Sequence, residues 1–312
     1  MSIRYNPVFQ TEEVFEAMLS SMFSSYTPLS LTFSALKDHM GESARRPVQG
    51  SDGPVKVMTL AKDTWTPKAC HKTAIEIAFD TDERAYMKPN FSGGDALKER
   101  GAYVLSRLFG LNVVPDTRIL ELGQTSVKKK PGARGLFTSL SGLYSIQQGV
   151  LGHSLDTKAG IESLNRVIQS GLLDKRSLHA LYAYIFIASD PDHEEQNVML
   201  ETDTGRLWSI DNAYSGSDFE GYACFPEALD ETLFEEAELS PAVLSPIKRA
   251  LSNPARRDQL YRCLKPYYGK EKVIQMIQRA EFLLAHPQLG SLVGKFRAFK
   301  KSQDFKRMPN FR

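Results

Sequence analysis

Asp190-Pro-Asp-His-Glu-Glu-Gln-Asn-Val-Met-Leu200, followed by Leu207-Trp-Ser-Ile-Asp-Asn212, decides how the fold of this chain is read. An apolar, helix-like run leads into a short loop with an acid and an amide five positions apart, Asp192 and Asn197. An apolar strand follows, then a polar turn over 202–205, then a second apolar strand ending in Asp211. A loop carboxylate, a loop amide and a strand-end carboxylate converge. Phosphoryl transfer needs such a set: one group to orient or deprotonate the acceptor hydroxyl, and two oxygen ligands for Mg²⁺.

Outward from this stretch, the second half of the chain reads as helical. Over 174–189, Leu178, Leu181, Tyr182, Ile185 and Phe186 repeat at the spacing of an amphipathic helix. Further helices are expected near 226–239, 241–251, 254–267 and 270–285. Pro226, Pro241 and Pro254 stand where first turns would begin. The first half reads mostly as sheet. Strands are expected over 55–60, 73–79 and 84–88, with 62–71 as the loop at a hairpin tip. A helix over 95–109 stops at Gly110, and Leu97, Gly101, Val104, Leu105 and Leu108 form its apolar stripe. A strand over 112–122, a basic turn over 128–134 and apolar segments over 136–140 and 143–150 follow. Residues 11–22 read as a helix with Thr11 as N-cap, and 41–54 as a linker or surface loop.

Charge and cysteine usage bound the function. The formal net charge of +2 gives no general argument for nucleic acid. Cys70, Cys224 and Cys263 lie far apart with no CxxC, which suits a reducing, cytoplasmic setting rather than a disulfide scaffold or structural zinc. No apolar run approaches the roughly 20 residues of a membrane helix, and no Sec signal is visible. The Ser-rich stretch 18–34 leaves open a leader read by another secretion route, which would deliver the protein into another cell. The tail 295–312 carries seven basic residues interleaved with Phe296, Phe299, Phe305 and Phe311. It reads as a solvated end, a contact with an anionic membrane, or a contact with RNA or an acidic partner.

A sheet with one helix, a connector and a helical half holding Asp…Asn…Asp is the order of an α+β, two-lobed, protein-kinase-like fold. The expected divisions are an N-terminal extension (1–54), an N-lobe (55–150), a C-lobe (151–294) and a basic tail (295–312). Such an N-lobe supplies a strand lysine and a partner acid. Lys88 ends an expected strand, and Glu99 lies on the next helix, placed to hold it. The competing reading is a surface lysine and a solvated glutamate, since Lys98 and Arg100 flank Glu99.

Four segments together resemble the phosphatidylinositol 3-/4-kinase-like superfamily. Residues 98–118 look like its acidic helix and following strand, as carried by the type II phosphatidylinositol 4-kinase and actin-fragmin kinase branches. Residues 143–149 resemble its hinge segment. The run from Asp192 to Asn197 matches its D-x-x-x-x-N loop, and the run from Trp208 to Asn212 matches its metal strand. HipA-like bacterial kinases share the last two. The resemblance implies that Asp192 orients or deprotonates the acceptor hydroxyl, with Asp190 as a rival. It implies that Asn197 and Asp211 ligate Mg²⁺ or Mn²⁺, and that Lys88, positioned by Glu99, binds the phosphates of ATP. It further implies that Gln147, Gln148, Gly149 and Val150 face adenine through backbone groups. His193 stands where the family often has Arg, and Glu194 and Glu195 add negative charge beside the site. The two glutamates would either repel phosphate or select a basic peptide.

Other chemistries fit less well. Asp190, Asp192, Glu194 and Glu201 fall on positions 1, 3, 5 and 12 of an EF-hand loop, but Glu195 stands where a sharp turn wants Gly. His193 has no second His or Cys nearby in sequence and reads as a loop hydrogen-bonding residue. No GxSxG is present, and Cys70 beside His71 reads as an ordinary thiol. The sequence therefore leads to an ATP-dependent kinase, with a protein Ser/Thr hydroxyl set ahead of a phosphoinositide as acceptor. AMP transfer and a non-catalytic binding module are the remaining rivals.

Overall fold

A computed structural model describes residues 40–60, 66–69, 74–78, 84–90, 94–126, 128–129, 139–217, 225–229 and 238–303. The first half forms one sheet from β1 (Met40–Arg46), β2 (Val55–Leu60), β3 (Thr66–Ala69), β4 (Ile75–Ala78), β5 (Arg84–Pro89), β6 (Thr117–Ser126), β7 (Lys128–Lys129) and β8 (Ser139–Gln148). Their order is β1-β2-β6-β8-β5-β4-β3-β7. Pairing is antiparallel except between β2 and β6 and between β3 and β7. Helix α1 (Asp95–Leu108) enters between β5 and β6. Its Leu97 packs with Val55, Val57 and Ile119. The C-terminal half of α1 joins the main core of the second half instead. One helix thus stitches the two halves together.

The second half holds a small sheet of β9 (His153–Ser154), β10 (Val198–Glu201) and β11 (Arg206–Ser209). Around it lie helices α2 (Lys158–Gln169), α3 (Lys175–Ala188), α4 (Pro241–Ala250), α5 (Pro254–Ala285) and α6 (Leu292–Gln303). Asp174 caps α3 by accepting from the Arg176 N–H at 3.0 Å. The spacing in α3 suggests a one-sided helix, yet every residue from Ser177 to Ala188 is buried. The positions opposite the stripe are Ala180, Ala183, Tyr184 and Ile187, small or apolar enough for neighbours on all sides, which makes α3 the central helix. Each fully buried large apolar side chain contributes about 1.5–3 kcal/mol, so α3 is the main anchor of this half.

The expected α+β arrangement, a largely antiparallel sheet with one helix and then a mainly helical half, is the one found. Three local expectations change. The stretch 41–54 is not all loop, because β1 pairs with β2 as an edge strand. The loop 62–71 contains strand β3. The strand expected from Asn112 begins only at Thr117. The helices expected over 254–267 and 270–285 are both found, end to end across a kink at Gly269, whose φ is +75°.

The basic tail changes most. Residues 292–303 form α6, and Phe296 and Phe299 are buried. The Phe296 ring lies 4.8 Å from that of Phe186, and the Phe299 ring 5.6 Å from that of Phe282. These two phenylalanines belong to the core and are not available to a membrane. Phe305 and Phe311, the expected helix over 11–22, Cys70, Cys224 and most of the basic turn lie outside the described residues.

Candidate active site

Lys88 sits on β5 opposite Ser145 of β8. Its Nζ lies 3.1 Å from Glu99 Oε1 and 2.8 Å from Asp211 Oδ1. One ammonium therefore joins the sheet, helix α1 and the end of β11. Glu99 is 2% exposed. The solvated glutamate of the competing reading is excluded by this burial. Arg100 turns away into a separate buried pair, donating to the Thr117 carbonyl at 2.7 Å and lying 3.5 Å from Asp116. Burial pulls the Lys88 ammonium down, but Glu99 and Asp211 more than offset it and hold its pKa above the ordinary lysine value. Burial pushes the Glu99 carboxyl up, with Lys88 opposing and Asp211 adding to the rise. Direct contact with Lys88 opposes that rise, which is the desolvation cost of a sealed carboxylate.

Asp211 adopts φ +55°, a left-handed conformation that few non-glycine residues take. It lies two residues past β11, and the turned backbone carries a carboxylate that is 44% exposed yet touches Lys88. Such conformations cluster at functional sites.

The loop before β10 is fixed from within. Asp190 is fully buried, and its Oδ1 accepts from the Asp192 N–H at 3.2 Å. Its Oδ2 lies 3.6 Å from His193 Nδ1. His193 Nε2 meets Ser209 Oγ at 2.6 Å. The Ser209 hydroxyl and the Tyr184 hydroxyl both donate to Asn212 Oδ1. Asp190, His193, Ser209, Asn212 and Tyr184 thus tie the loop, β11 and α3 together. His193 is the hydrogen-bonding loop residue expected from the sequence.

Asp192 is half-buried at the surface of this network. Burial, then the charges of Asp211, Asp190 and Glu194, push its carboxyl up, with His193 opposing. Asn197 ends a single 3-10 turn (Glu195–Asn197), and its amide nitrogen donates to the Asp192 carbonyl. The amide oxygen is left to accept or to ligate. The Asn197 carbonyl also accepts from the Ile210 N–H at 2.9 Å, which docks this turn beside Asp211. Among the described residues, no group of three or more His, Cys, Asp and Glu side chains is arranged to hold a metal. An Asn oxygen and one carboxylate suit Mg²⁺ that shares its coordination with phosphates and water.

The EF-hand alternative fails on geometry. Asp190 faces the interior, and Glu201 accepts from Thr204 in the β10–β11 hairpin. Glu195 is also engaged, accepting from the Glu227 N–H at 2.8 Å. Of the two glutamates, Glu194 is the exposed one.

The expected adenine-facing stretch lies at the end of β8. The Gln147 side chain is buried and donates to Thr117 Oγ1 at 2.9 Å. The Gln148 N–H donates to the Asp116 carbonyl at 2.9 Å and the Gly149 N–H to the Arg84 carbonyl at 2.8 Å. A Cβ at Gly149 would stand 2.8 Å from that same carbonyl, so only glycine fits. Sheet bonds therefore use two of the expected backbone donors. Val150, beyond the strand, has no such backbone bond among the described residues.

Sequence reasoning missed Tyr184, Ser209 and Asn212 as a linked set. The signal was present: a serine inside an apolar strand and a tyrosine among the apolar residues of α3 are polar atoms that need partners.

No family model matches this chain, and no curated protein matches it. Among solved structures it is similar to hydra Fam20 with sugar, at 12% identity and TM-score 0.43, covering 92% of this chain and 97% of that one. It is similar to the Golgi casein kinase with Mn/ADP bound, at 10% identity and TM-score 0.42, covering 96% and 93%. It is also similar to the Helicobacter pylori proinflammatory kinase CtkA, at 8% identity and TM-score 0.33, covering 73% and 92%. Likeness at this level carries no residue role into this chain. The resemblance to the phosphatidylinositol-kinase-like superfamily rests on the sequence motifs alone.

Proposed function

We propose that this chain is an ATP-dependent phosphotransferase that passes the γ-phosphoryl group to a protein serine or threonine hydroxyl. The observation that carries the reading is Lys88 Nζ, held between Glu99 Oε1 at 3.1 Å and Asp211 Oδ1 at 2.8 Å. A lysine fixed by a buried helix carboxylate, beside a strand-end carboxylate, is the arrangement that grips a polyphosphate next to its metal. Asn197 and Asp211 would hold Mg²⁺, or Mn²⁺ in its place. The ion would neutralise charge on the phosphates when bound.

Asp192 accepts the proton of the acceptor hydroxyl. The hydroxyl oxygen bonds to the γ-phosphorus as the bond to the β–γ bridging oxygen breaks, and ADP leaves with that electron pair. Lys88 counters charge on the phosphates, and Glu99 keeps it in place. The adenine ring would lie against the Gln147–Val150 end of β8, with Val150 offering its backbone.

A protein acceptor is favoured over a phosphoinositide because the tail aromatics Phe296 and Phe299 are turned into the core. Among the described residues, no helix is long and apolar enough to cross a membrane. Exposed Glu194 beside Asp192 suits a basic peptide around the acceptor. The test is incubation with Mg²⁺ and ATP labelled at the γ or the α position, offering phosphoinositide vesicles or a cell lysate as acceptor. γ-label in protein is expected. Label in lipid alone would overturn the acceptor class, and retention of the α-label would make the reaction AMP transfer.

A further inference from the structure

The joint of α5 lies against α1 and reaches the sheet. Tyr267 packs against the cluster of Val55, Val57, Leu97 and Ile119. The Pro266 carbonyl accepts from the Asp52 N–H at 3.2 Å, and Lys265 lies 3.5 Å from the Asp52 carboxylate. Tyr268 enters between α1 and the segment that follows Asp211. Its hydroxyl meets Ser215 Oγ at 3.0 Å, and the Ser215 hydroxyl donates to the Lys98 carbonyl at 3.3 Å. Lys98 is the residue next to Glu99.

The fit around Tyr268 leaves no slack. A Cβ at Gly101 would stand 2.8 Å from the Tyr268 ring and 2.8 Å from Tyr267 Cβ, and a Cβ at Gly216 would stand 2.7 Å from the Tyr268 ring. Gly101 is a helical residue in the stripe of α1, where alanine would ordinarily favour the helix. Glycine here serves close approach, not backbone freedom. Immediately after Tyr268, Gly269 takes φ +75° and lets the helix break so that the ring points inward. Burial pushes the Tyr268 phenol far above its ordinary value, so the hydroxyl keeps its proton as a donor.

We propose that Tyr268 is a positioning residue, the tip of a clamp by which the chain's own α5 holds α1 against the Asp211 segment and so sets the Lys88–Glu99–Asp211 contact. This rests on the phosphotransferase reading for its consequence, but not for its geometry. Lys88 can touch both carboxylates only while α1 and the end of β11 keep their spacing. Gly101, Ser215 and Gly216 are the surfaces through which Tyr268 fixes that spacing. The site would then be assembled by a C-terminal element of the same chain.

The test uses the full chain and two readouts. Tyr268→Phe keeps the ring packing and removes the hydroxyl. Amide hydrogen exchange in α1 should accelerate roughly three- to tenfold, the factor equivalent to one net hydrogen bond, while exchange in α3 stays unchanged. Affinity for Mg²⁺–ATP, measured by calorimetry, should weaken by a similar factor. Gly101→Ala should also accelerate exchange in α1, against its intrinsic helix preference. Unchanged exchange in α1, equal acceleration in α1 and α3, or slower exchange in Gly101→Ala would each overturn the clamp. If the wild-type chain binds no Mg²⁺–ATP, the phosphotransferase reading fails, and exchange in α1 alone decides the clamp.

Discussion

Asp190 and Asp192 lie two residues apart and face opposite surroundings. Asp190 is sealed inside, accepting from the Asp192 N–H and facing His193, while Asp192 is half-buried and feels the charge of Asp211. On the proposed reading, the buried acid locked into a network is a support, and the partly open acid near Asp211 is the reagent. Asp192→Ala should therefore lower turnover by about 10²–10³-fold, the scale for removing a group that acts on the transition state, with little loss of stability. Asp190→Ala should lower the melting temperature, because it strips His193 and the Asp192 N–H of a partner. Steady-state rates and thermal melts of both variants check this. The opposite assignment of effects would make Asp190 the reagent.

The Asp192 environment also predicts how stability depends on pH. A carboxyl whose folded pKa lies above its unfolded value binds its proton more tightly in the native state. Stability then falls as pH rises from the ordinary aspartate value of about 3.9 through the raised one. Above both, ionised Asp192 costs stability. Asp192→Asn removes that cost, and with it the proposed base. Its melting temperature at pH 7 should exceed that of the wild type, and the difference should close as pH drops below the ordinary aspartate range. A variant less stable than wild type at pH 7 would show that Asp192 is not penalised where it stands.

Lys88 and Glu99 should behave as a pair. Lys88→Met leaves Glu99 buried without its cation, at a cost of about 3 kcal/mol, the low end for breaking a buried pair. Glu99→Met leaves Lys88 with Asp211 and should cost less. The double variant should regain much of the loss, giving a coupling of at least about 1 kcal/mol between contacting residues. Denaturant unfolding of the four proteins measures it. Additive effects would mean the contact carries no stabilising energy.

The α6 helix predicts a contrast within one stretch. Phe299→Ala removes a ring that meets Phe186 and Phe282 and should cost about 3–5 kcal/mol. Lys300→Ala and Lys301→Ala change the basic side chains that follow it and should stay within about 0.5 kcal/mol. Equal effects would place this segment outside the core.

Much of the site was readable because local pattern carries it. Lys88 closes an alternating strand, Glu99 sits on a helix bounded by Gly110, and Asp192, Asn197 and Asp211 flank a short hairpin. The structure brings Lys88, Glu99 and Asp211 into contact and docks Asn197 beside them. What the sequence hid lacks a local signature. Strand β1 is a polar edge strand, exposed over residues 44–46, so alternation could not mark it. In α6 the basic residues masked the spacing of Phe296 and Phe299, which was itself the sign of a buried helix face. The contact between Tyr268 and the Lys98 carbonyl spans 170 positions. Gly101 showed only as a small residue in an apolar stripe, and nothing nearby says that a tyrosine ring occupies its missing Cβ.

The most direct measurement of the central claim follows the γ-phosphoryl group from ATP to protein in the wild-type chain and in Asp211→Ala, with Mg²⁺ present. Lys88 with Asp211 predicts that the wild type forms ADP together with phosphorylated serine or threonine. Asp211→Ala should lose that transfer by about 10²–10³-fold while keeping its fold. Transfer at the wild-type rate in Asp211→Ala would contradict the placement of the site, and a wild-type chain that forms neither ADP nor phosphoprotein would contradict the function.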